Sequence, residues 1–125
     1  MVALDTSSMI AFLEGESGSD VAVVEWALEQ SQAVFPPVVL SELLSDPTLK
    51  SEVRDLFLAL PLLEVSGSYW ERVGKLRALI LGFRRRARLA DVLIAQSCLD
   101  HSVALVTRDS DFRFLSEQTS LQLLV

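Results

Sequence analysis

The chain is 125 residues long, half of them hydrophobic and 22% charged, the make-up of one folded domain with a substantial core. The longest apolar runs, such as Ala78 to Leu81, fall far short of the roughly 20 residues a membrane span requires. Seventeen acids against eleven bases give a net charge of −6, which excludes a general basic coat for nucleic acid. The bases are nevertheless uneven, because Arg84, Arg85, Arg86 and Arg88 fall within five positions.

Val2 to Leu4 reads as a short buried strand that hands over, through Asp5-Thr6-Ser7-Ser8, to a helix carrying Met9, Ile10, Phe12 and Leu13. No basic segment precedes it, so a secretory signal is not expected and the cytoplasm is the expected compartment. A loop at Gly15 to Ser19 leads into a second helix with Val21, Val24 and Leu28 on one face. Ala33 to Phe35 suits a strand stopped by Pro36-Pro37, since proline donates no ladder hydrogen bond and opens helices well. A helix through Val39, Leu40, Leu43 and Leu44 follows, with Glu42 expected early in it, and Asp46-Pro47 ends it. Leu49, Val53, Leu56, Phe57 and Leu60 form the clearest amphipathic stripe, a candidate face for a second copy or a partner protein.

Leu62 to Val65 is expected to be a strand, and Trp70 to Phe83 a helix with Gly82 near its end. Leu89 to Leu99 is apolar nearly all round, so it reads as a helix buried in the middle of the fold. Cys98 lies in it and is expected in the core; one thiol makes no internal disulfide. His101, at the end of the same helix, is expected at the surface. Val103 to Val106 is an apolar strand ending at Thr107, and Leu121 to Val125 is expected to be the last strand. Strands that alternate with helices and are apolar on both faces indicate an α/β fold: a central parallel sheet with helices on both sides, as one domain over residues 1–125. Ligands in such folds bind beyond the carboxyl ends of the strands.

Five acids break this pattern. Asp5 ends the first strand, Asp109 follows the strand that ends at Thr107, Asp91 stands in the first turn of the buried helix, Glu42 interrupts an apolar helix, and Asp111 follows Asp109 by two. Each has an ordinary explanation as a cap, a turn or a solvated residue. Collected at one sheet edge they would repel by roughly 3 kcal/mol per pair at about 6 Å and an effective dielectric near 20, so such a cluster demands cations. An all-oxygen ligand set with no Cys or His cluster suits Mg²⁺ or Mn²⁺. Thr6, Ser7 and Thr107 are candidates to steady the carboxylates or their waters, and the same hydroxyls are also candidate caps.

Asp5-Thr6-Ser7-Ser8, Val39-Leu40-Ser41-Glu42-Leu43-Leu44, Leu89-Ala90-Asp91-Val92 and Leu105-Val106-Thr107-Arg108-Asp109-Ser110-Asp111-Phe112, in this order and across almost the whole chain, resemble the PIN-domain family and particularly its short VapC-like toxins. The resemblance implies a three-layer α/β/α fold, Mg²⁺- or Mn²⁺-dependent endoribonuclease activity, dimerisation and inhibition by a small cognate antitoxin. It maps the family's acidic quartet onto Asp5, Glu42, Asp91 and Asp109, with Asp111 as a fifth, outer ligand or a helix cap. Many VapC-like sequences carry asparagine at the position of Asp109 and the acid at that of Asp111; here both are acids. Thr107 matches the threonine that steadies the last acid, and Arg108 a common neighbour of unassigned role. Arg84, Arg85, Arg86 and Arg88 would then hold RNA phosphates at the rim of the acidic pocket.

A PIN nuclease that processes RNA without being a toxin, and a non-catalytic binding subunit of the same fold, are the alternatives. A receiver-like phosphoacceptor would need a lysine on a late strand, and the only lysines are Lys50 and Lys75. A dehalogenase-type phosphatase would need an aspartate where Ser7 stands.

Overall fold

The computed structural model describes residues 1–124. In chain order the elements are β1 (Val2–Leu4), α1 (Thr6–Leu13), α2 (Ser19–Glu29), β2 (Ala33–Val34), α3 (Pro37–Leu44), α4 (Ser51–Ala59), α5 (Tyr69–Gly82), α6 (Leu89–His101), β3 (Ala104–Val106), α7 (Phe112–Gln118) and β4 (Leu123–Leu124). The four strands form one parallel sheet in the order β2-β1-β3-β4, a three-layer α/β/α arrangement.

The order carries a functional consequence. From β1 the chain moves outward to β2, whereas from β3 it moves outward to β4 on the other side. Right-handed crossovers of opposite direction leave the sheet on opposite faces, and the packing follows: α1 rests on α2, while α6 packs on α5 and α7. Between β1 and β3 the strand order reverses, and the loops leaving these strands diverge to open a crevice at their carboxyl ends.

Register fixes what reaches it. Leu4 pairs with Val106, so the next residue of each strand, Asp5 and Thr107, stand side by side. The Asp5 N–H donates to the Val106 carbonyl at 3.0 Å, continuing the ladder into the turn. Beneath them Ala3, Leu4, Leu105 and Val106 are wholly buried, as expected of strands covered on both faces.

Phe35, Phe57 and Phe112 are among the largest fully buried side chains, and Phe35 meets Phe57 edge to face at 6.2 Å. Cys98 is buried, as expected. The segment Leu62 to Val65 is not a strand: a single parallel bridge joins Leu62 to Phe35. Two backbone hydrogen bonds hold it, Phe35 N–H to Pro61 O and Leu63 N–H to Phe35 O. At this edge Leu63 is buried but Leu62 and Val65 are exposed, so the segment lacks the burial on both faces that its apolar run suggests. The last strand is β4, shorter than expected, and Val125 lies outside the described residues. Helix α7, absent from the sequence expectations, buries Phe112 and Leu115. Among the described residues no helix is long and apolar enough to cross a membrane.

Candidate metal centre at the sheet edge

Asp5 has the backbone of a helix N-cap but makes no capping hydrogen bond. Its carboxylate Oδ2 instead accepts from Thr107 Oγ1 and from Ser7 Oγ, each at 2.7 Å. Thr107 Oγ1 in turn accepts the Asp109 N–H at 3.0 Å. One buried hydroxyl therefore joins the end of β1 to the turn after β3. Asp109 Oδ1 accepts the Asp111 N–H at 2.9 Å, a local turn that folds Asp111 back beside Asp109.

Asp91 enters from α6, three residues into the helix. One carboxylate oxygen each from Asp91, Asp109 and Asp111 lie within 4.8 Å of one another. Burial, then the charges of Asp109 and Asp5, push the Asp91 carboxyl from the usual 3.8 up to about 6; Arg88 opposes the rise and Asp111 adds to it. Asp91 thus feels the charges of three other aspartates, Asp109, Asp5 and Asp111.

The structure brings together Asp91, Asp109 and Asp111, with Asp5 adjoining them. Glu42 is apart from this set. It stands in the last turn of α3 rather than early in the helix, because the helix opens at Pro37 and is only eight residues long. Its Oε1 accepts from Thr6 Oγ1 at 2.9 Å, and it lines the groove between α1, α3 and α4. Glu42 is thus tied to Thr6, the residue next to Asp5, and not to the three clustered aspartates. All three candidate hydroxyls, Thr6, Ser7 and Thr107, bond to carboxylates.

The arginine loop closes one side. Arg86 and Arg88 line a cleft with Asp91 and Asp111, and Arg85, Arg86 and Arg113 line an adjoining concavity with Asp111. Arg85 lies over the Phe114 ring at 4.3 Å, and Phe83 meets the same ring edge to face at 5.4 Å, which fastens the loop to α7. Arg84 makes the turn itself, in the left-handed region at φ +59°, and is exposed like its three neighbours Arg85, Arg86 and Arg88.

A set of carboxylate oxygens with no soft donor fits a hard divalent ion such as Mg²⁺ or Mn²⁺. Three charges at this spacing repel by on the order of 3 kcal/mol per pair, which only protons or a cation relieve. His101, outside the site, is exposed and its Nε2 hydrogen bonds the Glu64 carbonyl at 2.7 Å. Neither lysine follows a strand: Lys50 flanks α4 and Lys75 lies within α5.

Two charged pairs escaped the sequence reading. Arg108 forks onto the buried carboxylate of Asp20, with Nε to Oδ2 at 2.8 Å and Nη2 to Oδ1 at 3.0 Å. Arg72 grips Asp100 in the same way at 3.1 and 2.6 Å. In sequence Asp20 is an ordinary first-turn acid and Asp100 an ordinary late helix acid. The singular position of Arg108, between Thr107 and Asp109, was the one available signal.

The chain belongs to the PIN domain family, whose model matches residues 2–117. Three solved structures are similar to it along nearly their full length. VapBC-5 of the VapBC family of toxin-antitoxin systems, from Mycobacterium tuberculosis, is 23% identical with a TM-score of 0.67, covering 98% of this chain and 96% of that one. VapBC2 from Rickettsia felis, bound to a DNA fragment from its promoter, is 21% identical with a TM-score of 0.76, over 99% and 98%. FitAcB from Neisseria gonorrhoeae is 15% identical with a TM-score of 0.71, over 100% and 97%. No curated protein sequence matches the chain significantly.

Proposed function

We propose that this protein is a divalent-metal-dependent endoribonuclease, the toxin of a toxin–antitoxin pair of the VapBC kind. The observation that carries the reading is the convergence of Asp91, Asp109 and Asp111 to within 4.8 Å, with Asp5 adjoining, at the point where the sheet order reverses. Membership of the PIN family and the likeness to VapBC and FitAcB structures support it.

In this reading Asp5, Asp91 and Asp109 are the catalytic acids and hold Mg²⁺ or Mn²⁺ together with Asp111, so the acids two residues apart after β3 share the work. Glu42, tied to Thr6, completes the catalytic set from its outer edge. A bound divalent ion supplies Lewis acidity and a water of lowered pKa for attack on phosphorus. Thr107 and Ser7 hold Asp5 with its hydroxyl bonds gathered on Oδ2, fixing the carboxylate before substrate arrives. Arg85, Arg86 and Arg88, with Arg84 behind them, bind the phosphates flanking the scissile one, offsetting the repulsion between RNA and a protein of charge −6. The partners are an RNA substrate and a small cognate antitoxin, with a homodimer as the working unit in the cytoplasm.

The test is cleavage of RNA by purified protein with Mn²⁺ or Mg²⁺. EDTA abolishes cleavage, and Asp5→Ala or Asp91→Ala abolishes it while the circular dichroism of the fold is kept. An Asp91→Ala protein that cuts at the wild-type rate removes the assignment. Sequencing the 5′ ends of RNAs made on induction identifies the target, and rescue of growth by the product of a small neighbouring reading frame identifies the antitoxin.

A further inference from the structure

Two turns present the acids of the site: the one from β1 into α1, bearing Asp5, and the one after β3, bearing Thr107 and Asp109. Ser8, just after the first turn, and Arg108, in the second, both bond to a single buried carboxylate, Asp20, in the first turn of α2. Ser8, wholly buried and three residues after Asp5, donates its hydroxyl to Asp20 Oδ2 at 2.8 Å. Arg108, between Thr107 and Asp109, forks onto both Asp20 oxygens and donates a further bond to the Ser17 carbonyl at 3.2 Å.

The backbone around Asp20 is fitted to this contact. Gly18 holds φ +150°, and a Cβ there would stand 2.6 Å from Asp20 Oδ1 and 3.1 Å from Arg108 Nη2. A side chain at this position would push the carboxylate off its partners, so glycine serves both the conformation and the space.

We propose that Asp20 is a positioning residue: through Ser8 and Arg108 it sets the relative placement of the two acid-bearing turns, and thereby the spacing of Asp5, Asp109 and Asp111 toward a divalent ion. The inference rests on the metal-centre reading above. A bidentate guanidinium–carboxylate fork fixes orientation as well as distance, and groups that orient ligands without touching the ion typically change metal affinity by about 10–100-fold when removed.

The experiment measures Mn²⁺ affinity of the intact protein by electron paramagnetic resonance of the free ion, at a temperature where every variant is folded. Asp20→Asn, Arg108→Ala and Ser8→Ala are compared with Asp100→Asn, which breaks the Arg72 fork elsewhere in the fold and serves as a control for lost stability alone. The expected result is about tenfold weaker Mn²⁺ binding in the first three, partial recovery in Arg108→Lys, unchanged affinity in Asp100→Asn, and an RNA cleavage defect in kcat rather than KM. Should Asp20→Asn fail to fold, Ser8→Ala and Arg108→Lys carry the same measurement. Wild-type Mn²⁺ affinity in folded variants that break the Arg108–Asp20–Ser8 links overturns the positioning role and leaves the metal centre standing. A wild-type protein that binds no Mn²⁺ overturns the metal centre and the inference with it. Binding that follows stability alone, weakened equally in Asp100→Asn, also overturns the inference.

Discussion

Replacing Asp91 by asparagine is expected to stabilise the metal-free protein while destroying its proposed activity. In the folded chain burial and the neighbouring aspartates hold the Asp91 carboxyl up at about 6, against the usual 3.8. Its folded state thus keeps a proton that the unfolded chain has already released. Between about pH 4 and 6 the stability conferred by that proton is lost as pH rises, and above 6 the full penalty of the buried charge persists. The gap between 3.8 and about 6, at about 1.4 kcal/mol for each tenfold change in proton affinity, sets an upper bound, and because Asp91 is only partly buried solvent screening reduces it to about 1–2 kcal/mol. Asparagine has nearly the same shape as the protonated acid and never ionises, so it escapes the penalty. Urea unfolding in EDTA should show Asp91→Asn ahead by about 1–2 kcal/mol at pH 8, or about 5 °C in Tm, and close to wild type at pH 4. Mn²⁺ should then restore the wild type in proportion to its binding and leave the variant unmoved. Equal stabilities at pH 8, or a difference that is the same at pH 4 and pH 8, would refute the electrostatic account of the site.

Thr107→Val removes both the donor to Asp5 and the acceptor for the Asp109 N–H; a loss of about 1–3 kcal/mol in chemical denaturation is expected, with Thr107→Ser regaining most of it. Replacing Arg84, Arg85 and Arg86 by alanine should lower the slope of log affinity for single-stranded RNA against log salt by about 2, at about 0.7 per phosphate contact; an unchanged slope would assign the loop to another partner. Burial, with a smaller contribution from Asp5, pushes the Cys98 thiol up to about 12, so at pH 8 an aromatic disulfide reagent should label it only at the rate of unfolding. Immediate labelling of native protein would show the helix to be far more open than its packing indicates.

The helices with long apolar periodicities were legible in the sequence, α5 and α6 among them, because each covers a core face that the spacing of its own residues records. The strand expected at Leu62 to Val65 was not borne out, since a short apolar run does not say whether a partner strand lies on each side, and among the described residues only Phe35 offers one bridge. Helix α7 was overlooked because Phe112 and Leu115 supply too few turns for a period to show. Asp5, Asp91 and Asp109 stood out as acids beside segments too apolar for the surface. Glu42 stood out equally, and the structure sets it to one side, bonded to Thr6.

Local sequence thus determined the class of fold, the parallel strands and the inventory of acids and arginines, since periodicity and composition act over a few residues at a time. Tertiary structure alone decided which acids share a point in space. That choice depends on the reversal of strand order between β1 and β3 and on the pairing of Leu4 with Val106. The same holds for Asp20, whose buried fork to Arg108 spans 88 residues of chain. No local pattern encodes such a contact, because its energy comes from a partner that only the completed fold delivers.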